Sequence, residues 1–324
     1  MKLLKLIPDN TNIRFLRWRV PFYVVSLLLM AASIGLVATK GLNLGVDFVG
    51  GQMIRITFVE TAQAPVAELR EDVDALGFGE PIIQQMGQPN QIAVRMKLPD
   101  SDGQVGLADS MTREIVSTIE AEHPDARIDG VESVSGKVSD ELFETGMLAL
   151  VLAMIGISIY IWVRFEWQFG VGALFALVHD VTLTLGLFAL TQMEFDLNIV
   201  AALLTLIGYS LNDNIVVYDR VRENLKKYRR MPLPELLDLS VNETLSRTIV
   251  TSTSLLITLL SLLLLGPDVI FGFTAAITMG IFVGTYSSIY MSTPILVWLG
   301  VNSDSFVPVE SRADEQDRKA RGGV

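Results

Sequence analysis

Asp213 lies inside an apolar stretch, Ile199–Tyr218, that is long enough to cross a bilayer, and it stands in the polar cluster Ser210-Leu211-Asn212-Asp213-Asn214. A carboxylate at that depth costs at least ~2.5 kcal/mol in lipid, so such groups face a protein interior and mark ion or proton paths. The competing explanation is a protonated aspartate that only hydrogen-bonds a neighbouring helix, although this cluster exceeds what helix packing asks for. Arg247 opens a further apolar run and is followed by Thr251, Ser254, Thr258 and Ser261. These spacings of four and three place them along one helical face, which Ser240 and Thr244 extend backwards. Arginine does not give up its proton in a protein, so it needs an anion or water beside it. Asp213 at a similar depth on an adjacent antiparallel span would supply that anion. A pair that parts when the aspartate takes up a proton is a two-state element driven by proton binding. The plainer alternatives are a hydroxyl stripe that packs helices and an arginine that snorkels to the headgroups.

His179 and Asp180 form a second ionisable position, about ten residues (~15 Å) from the end of their apolar run and so near the bilayer midplane. Sequence neighbours on a helix point about 100° apart, so the two are expected not to share a target, and Asp180 ranks above His179. Either tunes a proton path or makes a structural hydrogen bond.

These residues need helices to hold them. The chain has 324 residues, half of them hydrophobic. Six apolar runs approach the ~20 residues that span ~30 Å of hydrocarbon: Val20–Thr39, Phe143–Val163, Phe169–Leu190, Leu197–Tyr218, Thr248–Leu265 and Gly272–Leu299. The last is expected to tilt or break at Pro294. It also carries Gly272, Ala276, Gly280, Gly284, Ser288 and Ser292 at intervals of four, a seam for close approach of a helix from this chain or another. The first run is too long for a signal-peptide core and reads as an uncleaved anchor.

Charge orients the chain. Of the net −11, the segment Lys40–Glu141 carries 18 acidic and 8 basic residues. The connection after Tyr218 is basic, with Arg220, Arg222, Lys226, Lys227, Arg229, Arg230 and Arg247. Short loops rich in Lys and Arg stay cytoplasmic. Both termini are therefore expected in the cytoplasm, and the acidic segment across the membrane. The expected division is a cytoplasmic segment 1–19, a first span 20–39, an exported domain 40–142, five further spans within 143–300 with a basic loop 219–247, and a cytoplasmic tail 301–324.

The exported segment alternates as strand, helix, strand, strand, helix, strand, the order of the ferredoxin-like split motif. The fold class is thus a six-helix polytopic membrane protein with one exported α+β domain. No catalytic set occurs in that domain. His123 reads as a solvated loop residue, and Gly136-Lys137 lacks the spacing and the Ser/Thr of a phosphate loop. The absence of cysteine excludes disulfide and Cys–zinc chemistry. No cofactor and no metal site are expected, and the acidic surface does not suit nucleic acid.

Gly45-Val46-Asp47-Phe48-Val49-Gly50-Gly51, Ala176-Leu177-Val178-His179-Asp180, Ile207-Gly208-Tyr209-Ser210-Leu211-Asn212-Asp213-Asn214, Val217-Tyr218-Asp219-Arg220-Val221-Arg222-Glu223-Asn224 and Ser246-Arg247-Thr248 together resemble the signatures of the SecD/SecF family of bacterial protein-export membrane subunits. The six-span layout with one exported domain is that of its SecF members. The resemblance implies half of a resistance–nodulation–division-type permease fold, completed by SecD. It also implies the SecYEG translocon, a YajC-type subunit and unfolded preprotein as partners, in the cell inner membrane. It implies that Asp213 and Arg247 carry proton flow and that proton uptake drives late stages of export through movement of the exported domain. Gly50, Gly51, Asp219 and Arg220 fall in its signatures, and Asp47 is assigned a turn-stabilising role. Val134–Leu142 departs from the Gly-Pro-containing version of the family hinge.

Two rival functions follow from the same residues. Intramembrane proteolysis fails on motif: Ser210 lacks the second glycine of a rhomboid signature, and Asp213 lacks a Gly-x-Gly-Asp context. An aspartic dyad would also need Asp180 and Asp213 within ~3 Å. The other rival is a scaffold that stabilises a translocon without moving protons.

Overall fold

In hydrocarbon the backbone has no partner but itself, so each apolar run closes into a helix. The computed structural model describes residues 8, 11–86, 88–97 and 107–301. After a 3-10 turn (Phe15–Trp18) comes α1 (Arg19–Lys40), and the next segment forms β1 (Asn43–Leu44), α2 (Val46–Val49), β2 (Gly51–Phe58), α3 (Val66–Asp74), β3 (Ile82–Gln85), β4 (Gln91–Met96), α4 (Leu107–Glu122) and β5 (Ala126–Val134). The chain then forms α5 (Gly136–Arg164), α6 (Trp167–Thr191), β6 (Glu194–Phe195), α7 (Leu197–Lys227), α8 (Leu233–Leu265), α9 (Phe271–Ser287) and α10 (Thr293–Trp298). Among the described residues six helical segments are long and apolar enough to span a membrane.

The helices outrun the apolar segments that announced them. Hydropathy marks what lies in lipid, whereas a helix stops where its terminal groups find other partners. Ser135 caps α5 by accepting from Val138 N–H at 3.4 Å, eight residues before Phe143. Helix α7 has 31 residues, ~46 Å against ~30 Å of hydrocarbon. The basic connection is therefore not an open loop: it consists of the end of α7 and the start of α8, joined across residues 228–232. The expected break near Pro294 is a π turn, Ser288–Ser292. Proline brings no N–H, so the helix widens just before it, and Ser292 Oγ and Thr293 Oγ1 donate to Ser288 O at 2.8 Å each.

Helices α6, α7 and α9–α10 form the inner layer of the bundle, while α1, α5 and α8 leave most of their apolar surface outward. The small-residue seam of α9 is occupied by α7 of the same chain. A Cβ on Gly280 would lie 2.2 Å from Leu206 Cδ1, and one on Gly284 would lie 3.4 Å from Ser210 Cβ.

The domain between α1 and α5 is one antiparallel sheet in the order β3-β4-β2-β5. Ile54, Ile56, Phe58 and Val94 of the sheet pack against Leu69 and Val73 of α3 and Ile115 and Ile119 of α4, the arrangement expected of a ferredoxin-like fold. One detail differs from expectation. His123 is not solvated: its Nε2 lies 3.0 Å from Asp72 Oδ2 and its ring meets Phe58 edge to face. The glycine pair that opens β2 is required by space. Gly51 has φ +117°, and a Cβ there would sit 2.4 Å from Met96 O. The same segment is fastened to the membrane part, because β1 pairs in parallel with β6.

Candidate functional site

Asp213 is buried on α7. Its Oδ2 accepts no hydrogen bond. Arg247 of α8 is the charge that acts on it, yet the two form no ion pair among the described residues. The arginine is exposed on the outer side of α8. The expected pair is thus present as two charges across a gap, not as a closed bridge.

The polar face predicted on α8 divides in two. Ser240 and Thr244 turn inward, with Ser240 Oγ accepting from Asn224 Nδ2 at 3.0 Å. Arg247, Thr251, Ser254, Thr258 and Ser261 face outward. Thr251, Thr258 and Ser261 each return their hydroxyl proton to the carbonyl four residues before. The sequence face drifts around α8, leaving the side along which Thr248, Ser252 and Leu259 stay buried, and the N-terminal segment covers only the first turns. Ile13 N–H donates to Asn242 Oδ1 at 2.9 Å and Leu16 N–H to Asp238 Oδ1 at 2.9 Å, pinning that end.

Asp180 occupies the opposite kind of place. It is fully enclosed. Its Oδ2 accepts from Ser210 Oγ on α7 at 2.6 Å and from Ser287 Oγ on α9 at 2.9 Å, while Oδ1 lies 2.9 Å from His179 Nδ1. The expectation that His179 and Asp180 diverge is overturned. Flexible χ angles let both side chains fold into one pocket despite the turn between their Cα atoms. His179 Nε2 is left without a partner. Asp180 therefore ties three inner helices together, and its α7 partner lies three residues from Asp213. The two aspartates do not bond each other, which leaves no acid–base dyad.

Of the other named residues, Asn214 is buried and donates Nδ2–H to Ser210 O at 3.2 Å, whereas Asn212 is exposed. Asp219 pairs with Arg164 at 3.2 Å, and Arg220 pairs with Glu223 at 2.5 Å and Glu243 at 2.7 Å, all at the end of α7 away from the exported domain. Asp47 does more than stabilise a turn. Its Oδ2 accepts from Leu197 N–H at 2.9 Å, capping the helix that carries Asp213.

Ser252 and Thr285 escaped the sequence reading. Ser252 Oγ lies 3.1 Å from Tyr209 OH and 2.8 Å from Thr285 Oγ1, giving a hydroxyl chain one turn above Asp213. The available signal was the four-residue series Ser240, Thr244, Thr248 and Ser252, which marks the inner face of α8.

This geometry coincides with a known family. The family described as protein export membrane protein SecD/SecF, C-terminal, matches residues 114–302, and the SecD/SecF GG motif matches residues 35–62. The chain belongs to the SecD/SecF family. Within that family it is 46% identical to the protein translocase subunit SecF of Cereibacter sphaeroides, over 92% of this chain and 93% of the relative. It is 38% identical to that of Vibrio alginolyticus, over 97% and 99%. Its fold matches SecDF of Thermus thermophilus, a translocon-associated membrane protein, with a TM-score of 0.82 at 35% identity. The match covers 91% of this chain and 40% of that longer one. A second SecDF structure, in a super-membrane-facing form, aligns over 96% of the chain with a TM-score of 0.65. As in the SecD/SecF relatives, the chain is a multi-pass membrane protein.

Proposed function

We propose that the chain is a proton-driven accessory subunit of the Sec preprotein translocase in the inner membrane. It pairs with SecD, works beside SecYEG and a YajC-type subunit, and promotes late stages of export of unfolded preprotein by moving its exported domain. Both termini lie in the cytoplasm and the acidic domain 40–142 on the far side. The observation that carries this reading is Asp213: a buried carboxylate with an unfilled acceptor position, facing an arginine that does not close on it. Such a carboxylate gains a partner by taking a proton or by drawing Arg247 in, and the two outcomes leave α7 and α8 in different relation. In this reading SecD packs on the outward face Arg247–Ser261, whose exposed hydroxyls then turn toward a partner helix.

Asp213→Asn keeps the shape of the side chain and removes the titratable group. In vesicles holding the Sec partners, it is expected to abolish export that depends on the proton gradient while sparing the ATP-driven component. A variant that assembles and exports normally with the gradient as sole drive would instead support the scaffold reading.

A further inference from the structure

The domain between α1 and α5 is fastened to the start of α7 by side chains of which only Asp47 falls in a family signature named above. Arg95 of β4 reaches down to the connector between α6 and α7, where its Nη2 lies 2.7 Å from Glu194 Oε1. Its Nη1 donates to Leu44 O at 2.9 Å and to Asn43 Oδ1 at 3.1 Å. Both charged side chains are mostly buried, 12% and 16% exposed. Glu194 lies two residues before Asp196, the N-cap of α7. Beside it, Gly45 N–H donates to Phe195 O at 2.9 Å, and Asp47 Oδ2 receives Leu197 N–H. The fit is close, since a Cβ on Gly45 would lie 2.9 Å from the same Glu194 oxygen. The start of α7 is thus held from the exported side by an ion pair, a strand bridge and a helix cap. From there a continuous helix runs sixteen residues to Asp213, ~24 Å.

We propose that Arg95, Glu194 and Asp47 form a clamp that makes the exported domain ride on α7, so that a displacement of α7 at Asp213 reaches the domain instead of being absorbed in the connectors. All three act as positioning residues. Without the clamp the domain would still be joined to α5, through β5 and the Phe48–Phe143 contact, but held to the start of α7 only by the short β1–β6 pair and the Phe48–Phe195 contact. With it, two buried opposite charges resist separation, because parting them strands a charge in a site of low polarity, and the Asp47 side chain adds a hydrogen-bonded cap at Leu197 N–H. The clamp rests on geometry alone; its use to deliver proton-driven motion rests on the function proposed above.

The test uses the full chain in vesicles with its Sec partners. The sequence has no cysteine, so Glu120→Cys on α4 and Val269→Cys in the turn before α9 give a unique spin-label pair. A single narrow distance is expected in the parent. Arg95→Gln, Glu194→Gln and Asp47→Ala should each broaden it, whereas Asp47→Asn, which still accepts from Leu197 N–H, should not. The Arg95→Gln/Glu194→Gln double variant should broaden it little beyond either single one, a coupling of about tenfold in the docked-to-undocked ratio. The clamp variants should also lose most gradient-driven export while remaining folded, with ATP-driven export kept. An unchanged distance distribution, or two charge substitutions whose effects simply add, overturns the clamp. Broadening with gradient-driven export intact overturns its role in transmission. Asp213→Asn in the same labelled chain separates the two claims: normal gradient-driven export there removes the proton reading and leaves the clamp measurement standing.

Discussion

Asp180 and Asp213 are both buried carboxylates of the membrane bundle, linked through Ser210 on one helix, and they are built in opposite ways. Asp180 has its acceptor positions filled by three donors from α6, α7 and α9. Asp213 has an oxygen with no donor and a cation held apart from it. A saturated carboxylate is fixed in one arrangement and fixes its neighbours. An unsaturated one near a charge that does not close on it has a free position for a proton or for that charge. Burial alone therefore does not distinguish a structural acid from a functional one; the count and origin of its donors does.

The contrast can be broken most severely at the saturated site. Asp180→Ala strands Ser210, Ser287 and His179 together and is expected to cost about 3–5 kcal/mol, measured by unfolding in detergent. A loss near zero would show that the three-helix tie is dispensable. Gly51→Ala serves as a control remote from both carboxylates: strain at positive φ, with Met96 O in the way, should cost about 1–3 kcal/mol without touching the bundle. Asp180→Asn sharpens the comparison. Its carbonyl can still accept from both serines while its N–H₂ faces His179 Nδ1, which the other tautomer allows. A cost below about 1.5 kcal/mol is expected, with gradient-driven export largely kept. Asp213→Asn should show the inverse pattern, with stability within about 0.5 kcal/mol of wild type and gradient-driven export lost. Arg247→Lys keeps the charge and loses the planar fork, so partial activity at unchanged stability is expected; full activity would argue against a specific arginine–carboxylate partnership.

How much of this was legible beforehand depended on the range of the interaction. A charge in an apolar run is a local anomaly, so Asp213 and the six spans could be read directly, as could the alternation within Gly51–Phe58 and Gln91–Met96. Donor saturation at Asp180 is set by Ser287, more than one hundred residues away, and serine is too common in membrane helices to mark such a role. Arg95 and Glu194 looked like ordinary members of an acidic, solvated domain and its turn. Only the fold brings β4 over the α6–α7 connector. The split face of α8 shows the same limit, because period and spacing give the face but not where its covering ends.

The most direct test of proton binding is infrared difference spectroscopy of the full chain in lipid, recorded across pH and compared with Asp213→Asn. A carboxyl C=O band that appears on acidification, vanishes reversibly on return and is missing from the variant is expected. Identical spectra from the two proteins would contradict reversible protonation at Asp213.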